Sequence, residues 1–175
     1  RITYKALYHE VCRLANALRT LGVQYVEMRL FDLNPFIDIG IAPEQSLFAD
    51  VLLLMCLFRA SPPITSREQS ENDENKRRVV TRGRQPGLQL LVHNHEQPLR
   101  ELAHELFDDM APFAAMLDAA YGGQRYQQAL QELRKRIDQP ELTPSAKVIE
   151  AVKQHGGYFP FAFEMSRSHT QSLQA

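Results

Sequence analysis

The sequence predicts an α+β fold that is mostly helical, on three observations. Residues 23–33, Val-Gln-Tyr-Val-Glu-Met-Arg-Leu-Phe-Asp-Leu, are rich in β-branched and aromatic residues and bounded by Gly22 and Pro35, the pattern of a strand. From residue 98 onward, apolar residues recur at spacings of three and four, the period of a helix. The 175 residues are 44% hydrophobic and 23% charged, a composition that packs a core and excludes disorder as the main state.

In chain order, Leu7, Val11, Leu14, Leu18 and Leu21 share one face of a helix over 4–21, which Gly22 ends. The strand over 23–33 follows, then a loop over 34–43 punctuated by Pro and Gly. Pro43 opens a helix over 44–59 that is apolar on nearly every face and is expected to be buried. Ser66 with Gln69 reads as a capping box opening a polar helix over 67–82. Residues 83–88 form a turn and 88–93 a short strand. A helix from 98 carries Leu99, Leu102, Leu106, Met110, Phe113 and Leu117, with Pro112 expected to kink or divide it. Gly122-Gly123 closes it, a helix over 124–138 follows, and Thr143-Pro144 starts another as N-cap and first residue. Gly156-Gly157 ends that helix, and a last one spans 160–172.

Composition narrows function. Lys plus Arg is 20 and Asp plus Glu is 21, a balance that argues against a nucleic-acid module driven by bulk charge. The longest apolar run, Val51–Phe58, falls far short of the ~20 residues that span a bilayer. Cys12 and Cys56 are too few for a disulfide framework or a zinc site and read as small core residues. One convincing strand cannot satisfy its own edges. That, and a start at Arg1 rather than Met, leads to the expectation of a missing N-terminal part.

Tyr25, Glu27 and Arg29 alternate along the strand and share a face. One reading is a solvated face with a neutralising pair. The other is an ATP site, with Glu27 on Mg²⁺ and Arg29 on a transferring phosphoryl group. Lys76, Arg77, Arg78, Arg82 and Arg84 make the only basic cluster, and Asn75, Arg78 and Arg82 share one helical face. Either an anion docks there, or the run is a solvated helix offset by Glu68, Glu71, Asp73 and Glu74. His93, His95 and His104 lack the partners that complete a metal site, and Asn34-Pro35 starts a turn beside Asp32. Tyr158, Phe159, Phe161 and Phe163 read as core or as a partner-binding patch.

The run Tyr25–Phe36 resembles the signature of the glutamate–cysteine ligase family, most closely its monofunctional γ-proteobacterial type. Asn75–Val79 running into Gly83-Arg84-Gln85-Pro86-Gly87-Leu88 resembles the family's second block. Leu117-Asp118, Gly122-Gly123, Tyr126-Gln127, Pro140–Thr143 and Ser145–Lys147 resemble its C-terminal helices in order and spacing. The resemblance implies that 1–175 is the C-terminal portion of one catalytic domain, with a strand of the catalytic antiparallel sheet at 23–33 and a helical region at 98–172. It implies a fold like the glutamine synthetase core. The implied reaction joins the γ-carboxyl of L-glutamate to the amine of L-cysteine through a γ-glutamyl phosphate, using ATP and Mg²⁺, as the first step of glutathione synthesis. Glu27 is then a metal ligand, Arg29 the catalytic contact to the γ-phosphate, and Arg84 a further nucleotide contact. The same resemblance implies a cytoplasmic monomer without nucleic-acid or membrane partners, and no activity from this stretch alone. The alternatives are a related carboxylate–amine ligase with another amine, and a non-enzymatic helical interaction module.

Overall fold

The computed structural model of the chain describes residues 22, 31, 33–60 and 63–174. The chain divides into two compact units, Arg1–Leu33 and Asn34–Ala175. The expected helix over 4–21 lies outside the described residues, as do Tyr25, Glu27 and Arg29. Of the expected strand only Phe31 and Leu33 are described, both in irregular backbone. The second unit holds every element below.

Residues 34–42 fold into a loop braced by its own backbone. The Asn34 N–H donates to Gly40 O at 2.7 Å, and the Asn34 side-chain oxygen accepts from Phe36 N at 3.1 Å, the turn role its sequence suggests. Helix α1, Pro43–Phe58, starts at its proline, whose fixed φ suits a first helical position. It packs on α3, Leu99–Tyr121, and α4, Arg125–Asp138. Only Val51 and Met55 are fully buried on α1, while Leu53, Cys56 and Phe58 are exposed. The expected burial of the whole helix is therefore corrected, and Cys56 is a surface thiol. Two neighbouring helices cover one side of a helix, whatever its composition.

Helix α2, Ser66–Arg82, begins one residue before the expected start, because Thr65 with Glu68, and not Ser66 with Gln69, makes the capping box. Thr65 Oγ1 accepts from Glu68 N at 3.2 Å and the Glu68 carboxylate accepts from Thr65 N at 2.8 Å. A carboxylate at this position also gains from the helix dipole, whereas Gln69 turns to Asp73 at 3.2 Å. Strand β1, Gln89–Val92, pairs antiparallel with β2, His95–Pro98, from Gln89 opposite Pro98 to Val92 opposite His95. The second strand was not expected. His93 and Asn94 take φ of 52° and 65°, the left-handed pair that a two-residue hairpin turn requires.

Helix α3 runs unbroken through Pro112, so the proline does not divide it. Met110 and Ala114, on either side of the proline, are fully buried, so packing holds the helix where one hydrogen bond is missing. Gly122 and Gly123, at φ of 80° and 85°, end it. A 3₁₀ turn over Pro140–Leu142 links α4 to α5, Pro144–Gln154, and Thr143 caps α5 by accepting from Ala146 N. Helix α6, Tyr158–Ser172, begins two residues before the expected start. The core lies where α1, α3 and α4 meet, around Val51, Met55, Met110, Ala114, Tyr126 and Leu130.

Candidate functional site

The turn Gly83–Leu88 is built on two glycines. A Cβ on Gly83 would stand 2.6 Å from Val79 O, and Gly87 has φ of 73°. Only glycine meets both conditions without strain. Gln85 N donates to Arg82 O and Leu88 N to Gln85 O, while buried Leu88 accepts from Leu99 N at 2.9 Å. The turn is thereby fastened to the start of α3.

A cavity of about 550 Å³ opens beside it, between this turn, the first turn of α3 and the end of α4. Arg84, Arg100, Arg136, Asp138 and Thr143 line it together with apolar Leu88. Arg100 and His104 both reach Asp138, at 2.5 and 3.0 Å. The His104 hydrogen bond, then that of Arg100, holds the Asp138 carboxyl below its ordinary range. Arg84 and Arg136 make no ion pair among the described residues. A more open depression that Arg84 also lines adds Lys147 and Lys153. The arrangement suits an anion carrying an apolar body, because guanidinium groups satisfy phosphate or carboxylate oxygens in pairs. Arg84 is thus at a cavity, and two separate stretches of the sequence resemblance, 83–88 and 140–143, meet there. Arg100 and Arg136 escaped sequence reasoning, because nothing in their local spacing links them to a turn elsewhere in the chain.

The other candidates resolve differently. The polar face of α2 is not an open anion site. Asn75 bonds both Leu91 O and Leu91 N at 2.7 Å, and Arg78 reaches Gln89 O, Glu96 and Glu74. Both side chains staple the hairpin to α2. Glu74 also takes Arg77, and hydrogen bonds from Arg77 and then Arg78 pull its carboxyl down to about 2. Buried Asp118 accepts from Tyr126 N at 3.0 Å, from Gln127 N at 3.1 Å and from the Gln127 amide at 3.0 Å. Burial raises the Asp118 pKa, yet these donors outweigh it and hold the carboxyl below its ordinary range. Leu117-Asp118 and Tyr126-Gln127 are therefore a structural pair, with α3 capping α4.

His93 belongs to the hairpin turn. His104 accepts from Arg134 on Nδ1, at 3.2 Å, which directs its N–H to Asp138. No group of three or more His, Cys, Asp or Glu among the described residues could hold a metal. Phe161 is buried, whereas Tyr158, Phe159 and Phe163 are exposed. No described helix is long and apolar enough to cross a membrane. Glu27, Arg29, Asp32 and Cys12 lie outside the described residues.

The family model described as glutamate-cysteine ligase matches residues 1–79. Glutamate–cysteine ligase of Azotobacter vinelandii is 40% identical over 164 residues, which cover 93% of this chain and 31% of that protein. The enzyme of the same name from Pseudomonas paraeruginosa is 41% identical over 160 residues, 91% of this chain and 30% of that one. The crystal structure of glutamate–cysteine ligase from Francisella tularensis in complex with AMP superposes with a TM-score of 0.80 at 32% identity, over 92% of this chain and 32% of that one. The chain spans about a third of the length of the relatives it matches.

Proposed function

From a chain that belongs with the glutamate–cysteine ligases in sequence and fold, we propose that its function is ATP-dependent ligation of the L-glutamate γ-carboxyl to the L-cysteine amine, carried out at its relatives' full length. The observation that carries this is the likeness to those ligases across more than nine-tenths of the chain. The AMP in the Francisella relative supports an adenine nucleotide as co-substrate. The proposal extends to a cytoplasmic monomer acting on small molecules.

A carboxylate is a poor electrophile, and ATP supplies the phosphoryl group that activates it. Bringing phosphate and carboxylate together opposes two anions, so the protein must present cations fixed in advance. Arg29, whose guanidinium has two parallel donors, is proposed to hold the transferring phosphoryl oxygens. Arg84, which lines the cavity together with Arg136, is proposed to hold a nucleotide phosphate. Mg²⁺ is proposed at Glu27, a hard oxygen ligand. Among the described residues no group of three or more His, Cys, Asp or Glu is gathered to hold it.

The test measures ADP release by the enzyme that carries this sequence at its relatives' length, with Mg²⁺, glutamate and cysteine. Turnover that needs both amino acids is expected. Glu27→Gln and Arg29→Lys should each cut it at least about a hundredfold, the usual cost of one preorganised contact. Arg84→Ala should raise the KM for ATP more than it lowers kcat. Near-normal turnover in the Glu27 or Arg29 variants would remove those roles. Turnover with glutamate and another amine would keep the ligase and change the substrate. No turnover with any pair would overturn the reading.

A further inference from the structure

Helix α6 is attached through two histidines. Among the helices it packs chiefly on α5, and Phe161 is its one buried residue. His169, on α6, has an acceptor at each ring nitrogen: Asp38 Oδ1 is 2.6 Å from Nδ1 and Pro35 O is 2.7 Å from Nε2. The Ser172 hydroxyl donates to the second Asp38 oxygen at 2.6 Å. His155, at the end of α5, is arranged in the same way. Its Nδ1 is 2.7 Å from Ala151 O, and its Nε2 is 3.2 Å from Glu164 Oε2 on α6. Phe161 packs against both attachments, 5.8 Å from the Phe36 ring of the loop 34–42 and 5.7 Å from the His155 ring, centroid to centroid. A neutral imidazole carries one N–H and satisfies only one of two acceptors. Its other nitrogen then turns a lone pair toward a second oxygen, a contact between two acceptors.

We propose that α6 and the loop 34–42 form a protonation latch: with a proton on each ring nitrogen His169 joins the helix to Asp38 and to the Pro35 carbonyl, and on losing one it frees the loop and the end of the helix. Every group of the latch lies within Asn34–Ala175, and the inference is independent of the reaction the protein catalyses. The Pro35 carbonyl, and then the Asp38 carboxylate, raise the His169 pKa above its ordinary 6.5 against the effect of burial. The contribution of His169 is therefore complete below 6.5 and is lost as pH climbs through the raised value. Hydrogen bonds from Ser172, then His169, lower Asp38 below its ordinary 3.8, so its contribution is complete above 3.8 and is lost as pH falls through the lowered value. The latch is fully closed between 3.8 and 6.5 and opens on the alkaline side through His169. Asp38 is the only charged residue of the loop. Lys147, Glu150 and Lys153 of α5, Glu164 and Arg167 of α6, and Arg84, which shares a depression with Phe36, make no ion pair with His169. Opening bares Phe161 on a helix whose Tyr158, Phe159 and Phe163 are already exposed.

The test is hydrogen exchange read by mass spectrometry on the whole protein that carries this sequence, at about pH 6 and about pH 8.5, corrected for the change in intrinsic exchange. Segments 34–42 and 158–172 are expected to exchange about twofold to tenfold faster at the higher pH, the weight of one lost hydrogen bond. The amides around Met110 on α3 should keep their protection. His169→Gln does not take up a proton, and should show the faster exchange at both pH values. Ser172→Ala removes a contact that does not titrate in this range, so it should loosen both segments equally at the two pH values and leave the pH dependence in place. Protection of the two segments that stays constant between the two pH values in the unaltered protein would overturn the latch, and that comparison needs no variant to fold. Protection lost on α3 to the same extent would overturn it as well, as general alkaline unfolding. A pH dependence that persists in His169→Gln and disappears in His155→Gln would place the switch between α5 and α6 and remove His169 from it.

Discussion

Where α1, α3 and α4 meet, Val51, Met110 and Ala114 have no exposed surface and lie in one hydrophobic cluster with Met55, Tyr126 and Leu130. Where α2 meets the hairpin, the joining side chains are Asn75, Arg78 and Glu71, and Glu71 is the only buried residue of that helix. The first region is held by removing apolar surface from water, which has no preferred direction. The second is held by hydrogen bonds from side chains to strand backbone, each with one partner and one geometry. The first should tolerate a change of shape at some cost, and the second should lose its attachment when a single donor goes.

The largest effect is expected in the core. Met110→Ala removes a fully buried side chain from the middle of α3 and should cost about 2–5 kcal/mol, a range set by how far the cavity collapses. Urea unfolding measures it. A cost under about 1 kcal/mol would mean that the three helices do not share one core. Asn75→Ala comes next. It strands both the N–H and the carbonyl of Leu91, at about 2 kcal/mol for partly buried groups left unsatisfied. Hydrogen exchange separates the two regions. Amides of the hairpin should exchange faster while those around Met110 keep their protection. Faster exchange in both would erase the distinction between them.

The two regions were not equally legible. The core helices could be read from period alone, because Leu106, Met110, Phe113 and Leu117 write a helical face directly into the sequence. Strand β2 could not. His-Glu-Gln-Pro has no apolar alternation, and it is a strand because the His93-Asn94 turn returns the chain along β1. The basic cluster misled for a related reason. A solvated helix and a helix stapled to backbone carry the same residues, and only tertiary contact separates them. The Arg84 turn was marked by its glycines, but its cavity is completed by residues some fifteen to sixty positions further along. The partners His169 and Asp38 are 131 residues apart, beyond any local pattern.

Asp118 shares features of both regions, since it is buried and its role is directional. Asp118→Asn keeps the size and one acceptor oxygen but loses the charge, and should cost about 1 kcal/mol, as for a weakened helix cap. Its pKa is lowered in the folded chain. Its contribution is therefore present above its ordinary 3.8 and is lost as pH falls through the lowered value. Unfolding followed from pH 6 to pH 2 should show the variant and the unaltered chain converging in acid. A gap that stays constant with pH would mean the carboxylate charge contributes nothing there.

The smallest effect sharpens the comparison inside one helix. Arg77 and Arg78 are neighbours on α2, and both bond Glu74. The Arg77 side chain is 62% exposed and Glu74 is its only carboxylate partner among the described residues, whereas that of Arg78 is 16% exposed and also reaches Glu96 and the Gln89 carbonyl. Exposed pairs gain little, because water screens them and two long side chains must be ordered. Arg78→Ala should therefore lower the thermal midpoint measurably and loosen the hairpin, while Arg77→Ala should leave the midpoint nearly unchanged. Glu74 keeps Arg78 after the Arg77 substitution, so even the acid limb should move little. Raising salt from low to about 1 M should remove what difference remains, since the screening length then falls to about 3 Å. Equal losses from the two substitutions would show that charge on α2, rather than the bond to strand backbone, holds the hairpin.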